Sequence, residues 1–229
     1  MCEARVNFYK KGKGCMEQVP VDKYNIAWFR LAEYISRGEK ERALGMYRLL
    51  CHSFDDPAFA RQLEADILWS FNDGMAAEKY AEAAQLYQQD KRILQAAAVY
   101  ENLHRLFPEV AVYTEHLLSL YSHLAIKTKV ASYALRCAQG TLKDKNQDVA
   151  ARIDALVLTV LPAHGAIVYE QFALAALESR SMSFESLKPI ITRAITEYIN
   201  NNDLDGVQQL LDRLKVADQE LYAFACSVV

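Results

Sequence analysis

The stretch Glu78–Pro108, EKYAEAAQLYQQDKRILQAAAVYENLHRLFP, decides the fold. Tyr80, Ala83, Ala84 and Tyr87, then Ala96, Tyr100 and Leu103, recur at intervals of three and four, the periodicity of a buried helical face. The polar break Asp90-Lys91 separates the two sets, and Pro108 cannot continue the helix before it. The spacing predicts two consecutive helices whose apolar faces meet.

Composition extends this reading along the chain. Of 229 residues, 52% are hydrophobic, enough for a continuous core, while only 8 glycines and 5 prolines occur, too few to supply the turns of a sheet protein. An all-α fold of about a dozen helices is expected. Breaks are expected near Gly38, at Asp55 to Pro57, Asn72 to Gly74, Asp90-Lys91, Pro108, Gly140 to Asp148, Pro162, Ser181 to Ser183 and Asn200 to Asp203. Asp56 is placed to cap a helix that Pro57 opens, and Gly38 and Gly140 suit the left-handed conformation that ends a helix. The first helix, about Tyr24 to Arg37, carries Trp28, Leu31, Ala32 and Ile35 on one stripe. The connection Gly38-Glu39 is so short that this helix and the next, about Lys40 to Phe54, must form an antiparallel hairpin.

Repetition is the strongest signal. Ala43, Tyr47, Leu50 and Phe54 return as Ala96, Tyr100, Leu103 and Phe107, with Tyr34 and Tyr87 upstream in matching places. Helical pairs too thin to bury their own faces stack on copies of themselves. Position by position, Tyr80, Ala83, Ala84, Tyr87, Ala96, Tyr100, Leu103 and Pro108 resemble the tetratricopeptide repeat, a two-helix unit of about 34 residues. A weaker copy has Ile191, Ala194, Ile195 and Tyr198 on one helix and Val207, Leu211 and Leu214 on the next, with Gln219 where the closing proline would stand. Looser hairpins contain Leu117, Leu118, Tyr121, Val130, Ala134 and Cys137, and then Ile153, Leu156, Val157, Val160, Tyr169, Ala173 and Ala176. The resemblance implies a right-handed superhelical array of antiparallel helix pairs. The first two copies are offset by 53 positions, however, so an additional helix, about Ala58 to Phe71, lies between them. It either pairs with the helix from Met75 to Gln89 or packs across the array as an insertion.

A formal net charge of -3, from 26 basic and 29 acidic side chains interspersed along the chain, supplies no clustered basic face for nucleic acid. No nucleic-acid partner is expected. Arg5, Lys10, Lys11 and Lys13 are the one local basic excess and read as a solvated N-terminal arm, residues 1–22, ahead of a single helical-repeat domain, 23–229. Neither a signal peptide nor a bilayer-spanning run of roughly 20 apolar residues is recognised. The five cysteines, Cys2, Cys15, Cys51, Cys137 and Cys226, are odd in number and scattered, which fits a reducing compartment, so a cytoplasmic protein is expected.

No constellation carries a recognisable chemistry. Glu101 and His104 match half of a di-iron carboxylate motif, but no second Glu-x-x-His exists, and the two read as a surface pair. His116 and His123 read as independent polar-face residues. Lys10 to Gly14 lacks the spacing of a phosphate loop. No catalytic residue, metal or cofactor is expected. Most of the 13 tyrosines, Tyr34, Tyr47, Tyr80, Tyr87, Tyr100, Tyr121 and Tyr198 among them, fall on packing stripes and are expected in the core.

The resemblance implies a groove lined by the first helix of each pair, suited to an extended peptide or a partner helix. Glu78, Ala81, Gln85 and Gln88, and then Glu115, Ser119 and Ser122, would face it. They are neutral or acidic, unlike the lysine, arginine and asparagine with which one subfamily grips chaperone C-termini, so no carboxylate clamp is expected. The implied function is an adaptor or scaffold with a protein or peptide partner. A secretion chaperone of the same class, and an enzyme or effector on a helical-repeat body, are the alternatives. The apolar end, Leu221, Tyr222, Phe224, Ala225, Cys226, Val228 and Val229, either docks on the preceding pair or mediates self-association.

Overall fold

The computed structural model describes residues 21–144 and 148–229, so Cys2, Arg5, Lys10, Lys11, Lys13 and Cys15 lie outside the described residues. Among those described, twelve α-helices and one 3-10 turn account for all regular structure. They are α1 (Val21–Ser36), α2 (Lys40–Cys51), α3 (Pro57–Ser70), α4 (Met75–Gln89), α5 (Ile93–Leu106), α6 (Ala111–His123), α7 (Lys127–Lys143) and α8 (Val149–Val157), then the 3-10 turn Pro162–His164, α9 (Gly165–Ser179), α10 (Phe184–Asn200), α11 (Leu204–Ala217) and α12 (Gln219–Val228). The all-α expectation holds.

The helix starts follow local chemistry. Pro57 opens α3 with the Asp56 carboxylate accepting the Phe59 N–H at 3.0 Å, as the sequence suggests. Asp148, Ser183, Asp203 and Asp218 cap α8, α10, α11 and α12 in the same manner.

The helix ends are more telling. After α1, α3, α4, α6, α9 and α10 the chain makes one and the same turn. Gly38, Asn72, Lys91, Ala125, Arg180 and Asn202 adopt positive φ. The N–H of the following residue returns to a carbonyl five positions back, as in Glu39 to Tyr34 (2.9 Å), Arg92 to Tyr87 (2.8 Å) and Asp203 to Tyr198 (2.9 Å). This Schellman closure satisfies carbonyls that a helix end otherwise leaves bare, and it reverses the chain within a few residues. Gly140, expected to end a helix, instead lies within α7, which runs on to Lys143. The break at Ala125 carries no glycine or asparagine signal.

Four of these turns share a longer register. Tyr34, Tyr87, Tyr121 and Tyr198 supply the accepting carbonyl, and the next helix opens six positions later. A buried small or β-branched residue follows at Ala43, Ala96, Val130 and Val207, then a second buried residue at Leu50, Leu103, Cys137 and Leu214. Tyr87 and Tyr121 are 34 positions apart. The hairpins α4–α5 and α6–α7 therefore share one register.

The chain divides into two compact units between Phe54 and Asp55. In the first, α1 and α2 pair, with Leu31, Ala43, Tyr47 and Leu50 buried and Trp28 stacked on Phe54 at 5.9 Å. Only part of the expected α1 stripe is covered: Ala32 is exposed, and so is Phe29 on the adjoining face. A two-helix layer shields one narrow strip of each helix.

In the second unit each helix from α3 to α7 packs on its sequence neighbour. The additional helix α3 lies against α4, which resolves its placement in favour of pairing. Beyond α7 the order changes, because α9 packs on both α7 and α10 while the short α8 lies to its side. Accordingly, eleven of the 15 residues of α9 are buried. Helix α12 docks on α10 and α11, burying Leu221 and Ala225 and leaving Cys226 and Val229 exposed.

The tyrosines bury their rings and tie neighbouring helices by their hydroxyls. Tyr87 donates to Gln62 on α3 (3.0 Å), Tyr121 to Glu101 on α5 (2.7 Å) and Tyr198 to Glu170 on α9 (2.5 Å), each reaching back to the preceding helix. Tyr47, Tyr80, Tyr87, Tyr100, Tyr121 and Tyr198 are buried as expected, while Tyr34 is half-buried. A glycine makes one of these ties possible: a Cβ on Gly206 would stand 2.4 Å from the Tyr198 ring.

Candidate functional site

Inward-facing Tyr80, Ala83, Ala84 and Tyr87 fix the rotation of α4. Glu78, Ala81, Gln85 and Gln88, spaced by three and four, consequently share another face. Glu78 and Gln85 are exposed, and Ala81 and Gln88 are half-buried. The side chains of Glu78, Gln85 and Gln88 have no hydrogen-bond or ion-pair partner among the described residues. This stripe is polar, uncommitted and open.

The corresponding stripe on α6 is occupied from within the second unit. Glu115 pairs with Arg152 on α8. The Ser119 hydroxyl donates to the Thr159 carbonyl at 2.8 Å. Ser122 is fully buried; its oxygen accepts the Leu161 N–H at 2.8 Å and lies 2.9 Å from His164 Nδ1. The sequence-derived set thus divides in two, with the α4 members open and the α6 members holding α8 and the segment that leads into α9.

The Ser122–His164 pair has the atoms of a nucleophile and its base, but the geometry gives it another task. With the Leu161 N–H occupying one lone pair, the Ser122 hydroxyl still exchanges a hydrogen bond with His164 Nδ1, so both groups are committed to holding the segment in place. Burial, and then the Lys127 ammonium, push the His164 pKa down and favour its neutral form. A serine with no exposed surface admits no substrate.

The other constellations are equally structural. Glu101 accepts hydrogen bonds from Tyr121, Lys129 and Tyr133, at 2.7, 2.8 and 3.2 Å. Burial raises its pKa, but those three donors outweigh it and hold the carboxyl below its ordinary value. Burial and the nearby carboxylate push the Tyr133 phenol up to about 12. His104 faces elsewhere, with Arg136 at 2.7 Å from Nε2 and Thr114 at 3.3 Å from Nδ1. His116 stacks on Tyr100 at 4.5 Å, while His123 turns back to the Ser119 carbonyl. No group of three metal-ligating side chains occurs among the described residues. Cys51, Cys137 and Cys226 are free thiols, and burial pushes Cys137 up to about 12, far from a reactive thiolate.

The sequence did not point to a wide cleft in the second unit. About 1050 Å³ in volume, it lies among α7, α9, α11 and the starts of α10 and α12, with Leu135, Leu174, Leu177, Leu187 and Val216 on its walls. A smaller cleft of about 320 Å³ lies alongside, between α7, α9 and the turn into α11, and Gln171 and Arg213 line both. The one available signal was the polar pair Glu170-Gln171 inside the apolar run Ala166–Ala176. No family model and no curated protein matches the chain. No helix among the described residues is long and apolar enough to cross a membrane.

Proposed function

We propose that the chain is a helical-repeat scaffold, related in construction to tetratricopeptide arrays, whose second unit winds its helix pairs into a right-handed superhelix. In this reading it works in the cytoplasm as a binding protein, not an enzyme, and needs no cofactor. Its ligand is a protein or peptide held along the open α4 stripe of Glu78, Ala81, Gln85 and Gln88. The observation that carries the reading is the shared register of the hairpins: the same turn and the same buried small or β-branched residue recur four times, the tyrosine tie three times, and the interval from Tyr87 to Tyr121 is the 34-residue period of that repeat. Stacked units of this kind leave one helix of each pair available to ligands.

A photo-crosslinking residue at Gln85, compared with one at the exposed Glu185, tests this in the native cell. The expectation is one reproducible protein captured from position 85 and not from position 185. A broad set of unfolded segments at position 85 would indicate the chaperone alternative. Identical capture from both positions would reject the α4 stripe.

A further inference from the structure

Helix α9 is buried on nearly every side, and two polar residues, Glu170 and Gln171, sit within its buried run. Glu170 accepts from Tyr198 at 2.5 Å and from Arg213 at 2.7 Å. Gln171 is only 6% exposed, yet its amide has no hydrogen-bond partner among the described residues. No buried side-chain nitrogen or oxygen among the described residues is left without a partner, so the Gln171 amide atoms themselves reach solvent and are open to a ligand. What little of Gln171 is accessible faces the two clefts that it separates.

The walls of the larger cleft narrow the choice of ligand. Leu135, Leu174 and Leu177 give it an apolar floor, and Val216 at its rim is 90% exposed. The carboxylates Glu178, Asp212 and Asp218 also line it, and none of them has an ion-pair partner among the described residues. Of the two arginines on the walls, Arg213 is engaged by Glu170. Asp218 is engaged as the cap of α12 and Asp212 accepts from Gln208 at 3.0 Å, but neither of them nor Glu178 is neutralised by a cation among the described residues, and Arg180 is the one arginine on the walls not already paired.

We propose that this cleft binds an extended peptide segment of a partner protein in which lysine or arginine alternates with aliphatic residues. The Gln171 amide, both donor and acceptor, pairs with the C=O and N–H of one residue of the segment, which point to the same side when the chain is extended. Alternate side chains of an extended segment point to opposite sides, so aliphatic groups reach Leu135, Leu174 and Leu177 while basic groups meet Glu178 and Asp212. The site is built on α7, α9 and α11 and is independent of the α4 stripe.

Selection of a random octapeptide library on the full-length protein, followed by calorimetry of the enriched peptides, tests the proposal. Enriched sequences are expected to carry lysine or arginine beside aliphatic residues. Gln171→Leu, which keeps the volume but not the amide, should weaken their binding at least tenfold with the thermal melt retained. Asp212→Asn, on the exposed rim, should weaken it several-fold and provides the same test should the buried substitution unfold the chain. Failure to enrich any sequence, enrichment of acidic sequences, or unchanged affinity in a folded Gln171→Leu protein would overturn the proposal.

Discussion

Ala125 holds φ +55°, a conformation in which an L side chain crowds the following carbonyl, and it does so at an exposed position. Its methyl group therefore costs strain without contributing burial. Ala125→Gly relieves about 1–2 kcal/mol of that strain, partly offset by the greater freedom of glycine in the unfolded chain. A net gain of about 0.5–1 kcal/mol is expected, visible as a rise of about 1–4 °C in the melting temperature. Glu170 presents a different conflict. Burial holds its carboxyl above the ordinary range even though Tyr198 and Arg213 both bond to it. An acid with a raised folded-state pKa retains its proton longer when folded than when unfolded. Its contribution to stability is thus complete below the unfolded value of about 4.3 and is lost as pH rises through the folded value. Glu170→Gln keeps an acceptor for Tyr198 and removes that titration. In urea unfolding across pH 4 to 7, wild type should lose stability relative to the Gln variant as pH rises; a constant difference would contradict the assignment.

Among elements, the connection from α8 to α9 depends on few contacts. Ser122 holds it by accepting the Leu161 N–H and meeting His164, while Ser119 takes up the Thr159 carbonyl. Ser122→Ala leaves a backbone N–H and a ring nitrogen without partners, and unsatisfied buried groups cost about 1–3 kcal/mol. That loss is expected in chemical denaturation, together with faster hydrogen exchange at the Leu161 amide; unaltered exchange there would argue against the clamp. The sequence did not disclose this role, because the partners of Ser122 lie about forty positions away and its helical spacing matches that of a surface residue. What was legible is local. The spacing of Tyr80, Ala83, Ala84 and Tyr87 placed α4 to the residue, and Asp56-Pro57 marked the start of α3. Ala125 went unread because the turn it occupies is imposed by the packing of α6 on α7, against the residue's own preference. Gln171 went unread because a helix buried all round loses the apolar periodicity from which a face is inferred.

For the molecule as a whole, the division between Phe54 and Asp55 sets the level at which stability is shared. The described part of the first unit is one hairpin with four buried apolar side chains, Leu31, Ala43, Tyr47 and Leu50. The second unit is of a size that buries about 70% of its unfolded surface, and its core includes Ile67, Tyr100, Leu117, Phe172 and Ile195. Its tyrosine ties are internal, since the partners of Tyr87, Tyr121 and Tyr198 all lie beyond Asp55. Asp55 is exposed. A protease that cleaves before aspartate should therefore cut first between Phe54 and Asp55. The 55–229 fragment is expected to keep its helical circular dichroism and to melt within a few degrees of the intact protein. Collapse of the helical signal on that single cleavage would mean that the two units fold as one cooperative body.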